Sequence, residues 1–251
     1  MINTYKESSL HRTLKELYAL EEGSRTEVEK DGHIYDILTK EGNVIEIQTQ
    51  NLGKLLRKIQ DALSKGRKCT VIHPVIESKT IETHSKDGTL LKKHKSPKKQ
   101  NEYTMLRELT GIYPVLLEEN FTLKAVFTKT TELRTETENP EQSENGRRRF
   151  KKNWQKADKK LEEITGTKIF SEAKDYLALL PEGLSEEFCA KDISVLLKTD
   201  SARPKNAYAY ANLMAWLFVR MNIFEQTKTE GHTKFYKIPE NIKNNRSGTR
   251  T

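Results

Sequence analysis

The sequence predicts an α/β (α+β) protein in which a mixed sheet is flanked by helices and followed by a smaller helical unit. Residues 27–50 alternate polar and apolar side chains around two glycine-containing turns, which is typical of short antiparallel strands. Residues 8–22 and 52–65 repeat leucine or isoleucine at helical spacing. The β-branched segment 69–76 indicates a buried strand. Strands and helices therefore alternate in the first half of the chain.

Length and composition limit the classes of protein that the chain can belong to. Its 251 residues suffice for one large domain or two ordinary ones, and its formal charge of +8 favours polyanionic partners. Cys69 and Cys189 lie far apart and outside any CxxC motif, which argues against a disulfide framework or a zinc site. The N-terminus has no apolar signal segment and no run is long enough to span a membrane. We expect a cytoplasmic protein with no membrane partner.

Two turns predict the register of the first three strands. Asp31-Gly32 is a strong signal for a two-residue hairpin and would pair Lys30 with His33. Residues 40–42 end in glycine, as a three-residue hairpin prefers, and would pair Ile37 with Ile45. In this register four polar side chains share one face of the sheet. These side chains belong to Glu27, Asp36, Glu46 and Gln48.

Three neighbouring carboxylates repel one another unless a positive charge lies among them. A divalent metal held by Glu27, Asp36 and Glu46 would supply that charge. The alternative is an ordinary solvated hairpin face, because acidic residues often occupy exposed strand positions. The surrounding isoleucines, leucine and valine argue against this alternative, because they would bury much of the sheet.

Asp36 followed by Glu46-Ile47-Gln48, with a helix beginning after Asn51, resembles the core motif of the PD-(D/E)XK nuclease superfamily. The resemblance covers roughly residues 8–128. It implies a restriction-endonuclease-like fold that binds Mg²⁺ or Mn²⁺ and hydrolyses phosphodiester bonds. The family's usual lysine is replaced by Gln48, so the role of that lysine would have to be shared or moved.

The resemblance assigns candidate catalytic roles residue by residue. Asp36 and Glu46, with Glu27, would hold the metal, and Gln48 would orient the attacking water. Lys58 and Lys15 are candidates for the missing lysine, with a solvated or anion-facing lysine as the alternative for each. His11, one turn before Lys15, could contact a phosphate or orient an acid near the sheet; the alternative is a histidine at the surface or at the edge of the core.

The C-terminal part predicts a winged helix-turn-helix. Two helices over 184–198 and 205–221 are followed by two strands around Glu230-Gly231. Such a unit contacts DNA through the start of its second helix and through its wing, although winged helices also bind proteins. The candidate nucleic-acid-binding residues are Arg203, Lys205 and Asn206 at the helix, Lys228 and Lys234 in the wing, and Arg147, Arg148 and Arg149 in the basic run that precedes the unit.

The predicted domain layout follows from these segments. Residues 1–129 form the nuclease-like domain, 130–167 form a linker and a basic helix, 168–240 form the winged helix-turn-helix, and 241–251 form a disordered tail. The linker is predicted because residues 130–146 are rich in Thr, Glu, Asn and Ser without apolar periodicity.

The function predicted is that of a Mg²⁺-dependent DNA endonuclease. The two-part layout is similar to that of prokaryotic proteins and suggests genome defence or DNA repair. A non-enzymatic DNA-binding regulator with a degenerate nuclease fold is the alternative, and an RNA-directed nuclease or adaptor is a third. DNA is expected ahead of RNA as the partner, and a homodimer is left open.

Overall fold

The computed structural model describes residues 7–20, 23–199 and 206–243, and its largest element is a seven-stranded mixed sheet. The strands of this sheet are β1 (Arg25–Lys30), β2 (His33–Leu38), β3 (Val44–Ile47), β4 (Cys69–His84), β5 (Leu90–Lys95), β6 (Phe121–Glu141) and β7 (Lys152–Phe170). The helices are α1 (Ser9–Tyr18), α2 (Leu56–Ser64), α3 (Leu106–Leu109), α4 (Ala173–Leu177), α5 (Ala190–Thr199), α6 (Ala207–Arg220) and α7 (Glu240–Lys243). Short 3-10 turns occupy Leu52–Leu55, Glu102–Met105 and Tyr113–Val115.

The two predicted turns set the register of β1, β2 and β3. Asp31 and Gly32 both have positive φ angles, 56° and 78°, as a tight two-residue hairpin requires. The predicted pairs Lys30–His33 and Ile37–Ile45 are both confirmed. The first half of the sheet is therefore determined largely by local turn chemistry.

The strand order is β1-β2-β3-β4-β6-β7, with β5 paired to the outer part of β4. β3, β4 and β6 run parallel, and α2 connects β3 to β4. Consecutive strand residues point to opposite faces, so Ile72 packs in a cluster with Leu10 and Leu14 of α1, whereas Val71 packs in a cluster with Ile59 of α2. The two helices thus cover opposite faces, and the prediction of a mixed sheet flanked by helices is confirmed.

The segment 130–167, predicted as a linker and a basic helix, forms strands instead. Residues 130–141 continue β6, and residues 152–170 form β7 antiparallel to it. β6 pairs with β4 on one side and β7 on the other, so its backbone groups are satisfied without an apolar sequence. Buried threonines such as Thr128 and Thr130 take the place of apolar side chains. The low apolar content misled the prediction.

The C-terminal unit consists of α4 to α7 and a three-stranded sheet. The sheet contains β8 (Phe188–Cys189), β9 (Glu225–Glu230) and β10 (Thr233–Lys237) in the order β8-β10-β9. The helix predicted over 184–198 begins only at Ala190, because Phe188 pairs with β10. Residues 241–243 of the predicted disordered tail belong to α7 instead, and residues 244–251 lie outside the described residues.

The C-terminal unit shares one hydrophobic cluster with the large sheet. On α6, the ring of Tyr210 lies 6.1 Å from that of Tyr103, and the ring of Trp216 lies edge-on to Tyr113 at 5.5 Å. One face of α6 is therefore packed against the segment that connects β5 to β6. Among the described helices, none has the length and apolarity to span a bilayer.

Candidate functional site

The side chains of Asp36 and Glu46 meet where β2 and β3 stop pairing. The backbone N–H of Asp36 donates to Glu46 Oε1 at 3.2 Å, and the N–H of Ile47 donates to Asp36 Oδ2 at 2.8 Å. Each carboxylate thus takes the position that a backbone carbonyl would have in a continuing ladder. These two hydrogen bonds hold both acids at the carboxyl end of β3, where the register set by the turns predicted them.

Lys58 of α2 completes this pair of acids. Its Nζ lies 2.6 Å from each oxygen of the Glu46 carboxylate, which is only 2% exposed. Burial, together with the neighbouring charge of Asp36, raises the pKa of Glu46 to about 7, although Lys58 opposes this. The resulting acid–acid–lysine cluster is defined here as Asp36, Glu46 and Lys58.

His11 of α1 approaches the cluster from the other face of the sheet. Its Nε2 lies 3.5 Å from Asp36 Oδ2, and its Nδ1 bonds to Glu7. Burial alone would lower the pKa of His11, but the carboxylates of Asp36 and Glu7 outweigh it and raise the pKa. Burial would likewise raise the pKa of Asp36, but the bonds from His11 and the Ile47 amide lower it. His11 therefore supports the ionised form of Asp36.

Glu27 does not join the cluster. Its φ of 53° falls in the left-handed region, and its carboxylate lies 2.6 Å from Lys15 Nζ. Lys15 also contacts Glu7 at 2.8 Å and is nearly buried. In the described part of the chain, no group of three His, Cys, Asp or Glu side chains is arranged to hold a metal ion. The predicted alignment of three carboxylates is wrong, because the backbone of β1 turns at Glu27 and Lys15 neutralises its charge.

Gln48 follows β3, and its side chain turns toward the next loop. Its Nε2 donates to the carbonyl oxygen of Gln50 at 2.6 Å. The Gln48 carbonyl accepts a bond of 2.7 Å from Nδ1 of the buried His73, which anchors the loop to β4. The sequence around His73 has no ligand-like spacing and therefore predicts no role for this residue. The water-orienting role of Gln48 stays a prediction.

The predicted nucleic-acid-binding residues are dispersed. Arg203 and Lys205 lie outside the described residues, and Asn206 is the exposed residue before α6. Lys228 of the wing lies 2.9 Å from Glu187 and 3.0 Å from Glu230. Lys234 is exposed on β10. The wing lysine Lys228 is thus already paired with acids.

Arg147, Arg148 and Arg149 lie in the turn between β6 and β7. The guanidinium carbon of Arg148 lies 4.0 Å from the ring centroid of Trp154, and that of Arg134 lies 3.5 Å from the same centroid. Arg147 and Arg149 are exposed. The sequence does not predict the Arg134–Trp154 contact, because Trp154 falls in the predicted basic helix, whereas it lies on β7.

The fold is a mixed α+β sheet with an acid–acid–lysine cluster in which Glu46 is buried and Asp36 and Lys58 are partly exposed. The chain belongs to the family described as "Domain of unknown function (DUF8091)", whose model matches residues 8–171, from α1 to the end of β7. It is 31% identical over 193 residues to an uncharacterized protein of Treponema pallidum (strain Nichols), covering 77% of this chain and 73% of that protein. No solved structure matches the chain.

Proposed function

We propose that the protein is a Mg²⁺-dependent endonuclease acting on DNA, with Asp36, Glu46 and Lys58 as its catalytic centre. The observation that carries this proposal is the 2.6 Å contact between Lys58 and Glu46 beside Asp36. It brings a lysine from α2 to the two acids and offers a replacement for the lysine that Gln48 displaces. The order α1, β1, β2, β3, α2, β4 also agrees with the core that the sequence motif suggested.

The donor set of Asp36 and Glu46 fits a hard cation. Carboxylate oxygens suit Mg²⁺ and Mn²⁺, and Mg²⁺ usually retains several waters, so two protein carboxylates suffice. When bound, the metal would polarise the scissile phosphate and lower the pKa of the attacking water. His11 and the Ile47 amide hold Asp36 in its ionised form, ready to serve as a ligand.

Lys58 and its surroundings determine what the protein itself contributes. The ammonium group supplies positive charge and proton donors next to both acids, where a phosphate oxygen or a water could accept them. Its Nζ also lies 5.2 Å from the ring centroid of Tyr35, which restricts its position from the side. We infer that Lys58 orients the attacking water or a phosphate oxygen in place of Gln48.

The C-terminal unit supports DNA as the substrate class through its topology. A short strand, two helices and a two-stranded hairpin, with β8 paired to β10, agree with a winged helix-turn-helix. We propose that this unit helps to hold DNA. In the described residues of α6, however, Arg220 is the sole basic side chain, and it packs over Tyr113 and Trp216.

The test is cleavage of single-stranded, double-stranded and branched DNA, and of RNA, with and without Mg²⁺. Asp36→Asn and Glu46→Gln should each abolish Mg²⁺-dependent cleavage, while circular dichroism shows a folded protein. Glu118→Gln, at an exposed position, is the control. Mg²⁺-dependent cleavage that persists in both acid variants would contradict the proposal.

A non-enzymatic DNA-binding regulator is the second candidate, and a specific observation favours it. Glu46 is paired with Lys58 and Asp36 with His11, so both acids are already compensated by protein groups. Water-proton relaxation during a Mn²⁺ titration distinguishes the two. Enhancement that disappears in Asp36→Asn supports the nuclease, and no enhancement in the native protein supports the regulator.

A further inference from the structure

The outer parts of β4 to β7 form a four-stranded extension, which we call the β-arm (residues 77–100 and 129–169). These residues contain 18 lysines and arginines against 11 aspartates and glutamates. The whole chain has 44 against 36, so the β-arm contains seven of the eight excess positive charges. The basic character of the protein is therefore concentrated in one element of the fold.

The cations occupy much of the length of the β-arm. Lys92, Lys95, Lys98 and Lys99 on and after β5 are exposed, and none has a carboxylate within salt-bridge distance among the described residues. On β7, Lys152, Lys156 and Lys160 are exposed as well. At about 3.3 Å per residue, the 13 residues of β6 that belong to the β-arm, 129–141, extend roughly 43 Å if straight. This is a track for a long polyanion rather than a pocket for a small anion.

The end of the β-arm presents an aromatic ring among these cations. Phe150 is 61% exposed, and Arg149 lies over it at 5.0 Å from the ring centroid. Arg147 and Lys151 flank the same turn. The turn is braced from within, because Arg148 stacks on Trp154 and donates to the carbonyl of Trp154 at 3.1 Å. The exposed phenylalanine is thus held on a rigid base.

The β-arm extends from the end of the sheet where the acid–acid–lysine cluster lies. β3 ends at Ile47, opposite Ile72, and β4 continues from there to His84. The start of α1 joins the two regions, since the N–H of Ser9 donates to Asp158 Oδ1 of β7 at 2.8 Å while His11 contacts Asp36. A polymer that follows the β-arm toward its base therefore approaches the acids.

We propose that the β-arm is the docking surface for duplex DNA, with its lysines against the phosphates and Phe150 inserted between base steps from the minor groove. This inference rests on the proposed function for its substrate class. Arginines beside an apolar wedge are suited to the minor groove, where such wedges unstack and bend the duplex. Cations along the whole β-arm fit a rod-shaped polyanion better than a membrane surface, which only the end of the arm would touch.

The test is binding of a fluorescent duplex, longer than two helical turns, in EDTA over about 50 to 200 mM salt. Replacing Lys92, Lys95, Lys98 and Lys99 by Gln should weaken binding about tenfold or more. It should also reduce the slope of log K against log salt, by roughly 0.9 for each phosphate that the variant no longer neutralises. The matched control replaces Arg25, Lys40, Lys65 and Lys68 by Gln and should retain most of the affinity, because these exposed cations lie at the opposite end of the large sheet, where β3 and β4 begin. The reverse result would overturn the inference.

Phe150→Ala tests the wedge separately. It should leave the salt slope unchanged and abolish the fluorescence increase of a 2-aminopurine placed in the duplex. Phe150→Leu, which keeps an apolar wedge, should retain part of the signal. A 2-aminopurine response that is unchanged in Phe150→Ala overturns the wedge. Binding to phosphatidylserine vesicles, but not to the duplex, overturns the choice of DNA.

Because these measurements exclude Mg²⁺, they separate the two proposals. Duplex binding that depends on the β-arm in EDTA, together with no cleavage of the same duplex or of the other nucleic acids when Mg²⁺ is present, supports this inference and contradicts the proposed function. Cleavage that is abolished in Asp36→Asn but unaffected by the β-arm substitutions supports the proposed function and contradicts this inference.

Discussion

Lys58 on α2 and Glu46 on β3 lie 2.6 Å apart, although twelve positions separate them in the sequence. The contact exists because α2 begins shortly after β3 and returns across the sheet. It places a lysine at a strand acid without using the strand position that Gln48 occupies. The position of Lys58 beside Glu46 therefore depends on how α2 packs against the sheet.

The first prediction concerns Lys58. Lys58→Met should lower Mg²⁺-dependent cleavage on the order of 100-fold, because a positioned side chain that handles protons contributes at least about that much. Lys54→Met, at an exposed position just before α2, is the matched control. The measurement is the single-turnover cleavage rate. A rate equal to that of the native protein would remove Lys58 from the site.

A second substitution tests whether a lysine at position 48 can take over the role of Lys58. Gln48→Lys in the Lys58→Met background should recover part of the missing rate, because the Gln48 N–H still bonds to the Ile72 carbonyl at 3.0 Å and residues two apart in extended backbone share a face. The single-turnover rate of the double variant is compared with that of Lys58→Met alone. No recovery would indicate that Gln48 faces only the loop, as its bond to Gln50 suggests.

The close packing of the turn before α2 against Gly111 predicts that a larger side chain at Gly111 destabilises the protein. A Cβ atom on Gly111 would lie 2.8 Å from Gly53 Cα and 2.9 Å from Gly53 N, both backbone atoms of the turn before α2. Gly111→Ala should destabilise the protein by about 1–3 kcal/mol, as overpacking does. Urea unfolding measures this. Gly166→Ala, which meets nothing within 4 Å, is the control, and equal destabilisation of both variants would contradict the packing argument.

Lys159 of β7 predicts a pH dependence of stability. Burial, with repulsion from Lys156 and Lys79, lowers its pKa to about 8. Between pH 8 and the unfolded value of 10.5, the unfolded chain binds more protons than the folded one, so stability rises with pH. Below pH 8 Lys159 is charged in both states, so the full free-energy penalty of burying its charge is present. Lys159→Met should remove this slope and stabilise the protein at pH 7, by up to about 3 kcal/mol.

The measurement is the free energy of unfolding from pH 7 to pH 10 for both proteins. Lys160→Met, at the adjacent exposed position, should retain the native slope. A native-like slope in Lys159→Met would show that Lys159 is not buried in the folded protein.

The bond between α1 and β7 yields a further prediction. Asp158 accepts hydrogen bonds from both the N–H and the hydroxyl of Ser9, at the first residue of α1. Asp158→Ala should lower the free energy of unfolding by about 1–2 kcal/mol, since these bonds involve a charged group. Hydrogen exchange should accelerate in residues 9–18 more than in α2. Glu162→Ala, exposed on the same strand, should leave exchange in α1 unchanged.

The sequence predicted best those parts that are decided locally. Asp31-Gly32 and Gly42 determined the register that brings Asp36 opposite Glu46, and Lys58 was already a candidate. The position of Glu27 depends on Lys15, a partner on another element, so alternation along β1 alone gave the wrong alignment. The sequence does not predict β7 or the outer part of β6, residues 130–141, because each stabilises the other across the sheet while both contain mostly polar residues.

β7 forms one edge of the large sheet over 19 residues. A strand of this length with an unpaired side is a template for pairing with another chain. The exposed lysines along β7, among them Lys152, Lys156, Lys160 and Lys168, oppose this by electrostatic repulsion between two molecules. Charge neutralisation along the edge, by high salt or by substitution, would therefore favour strand-to-strand association, and the concentration at which the protein aggregates should fall with it.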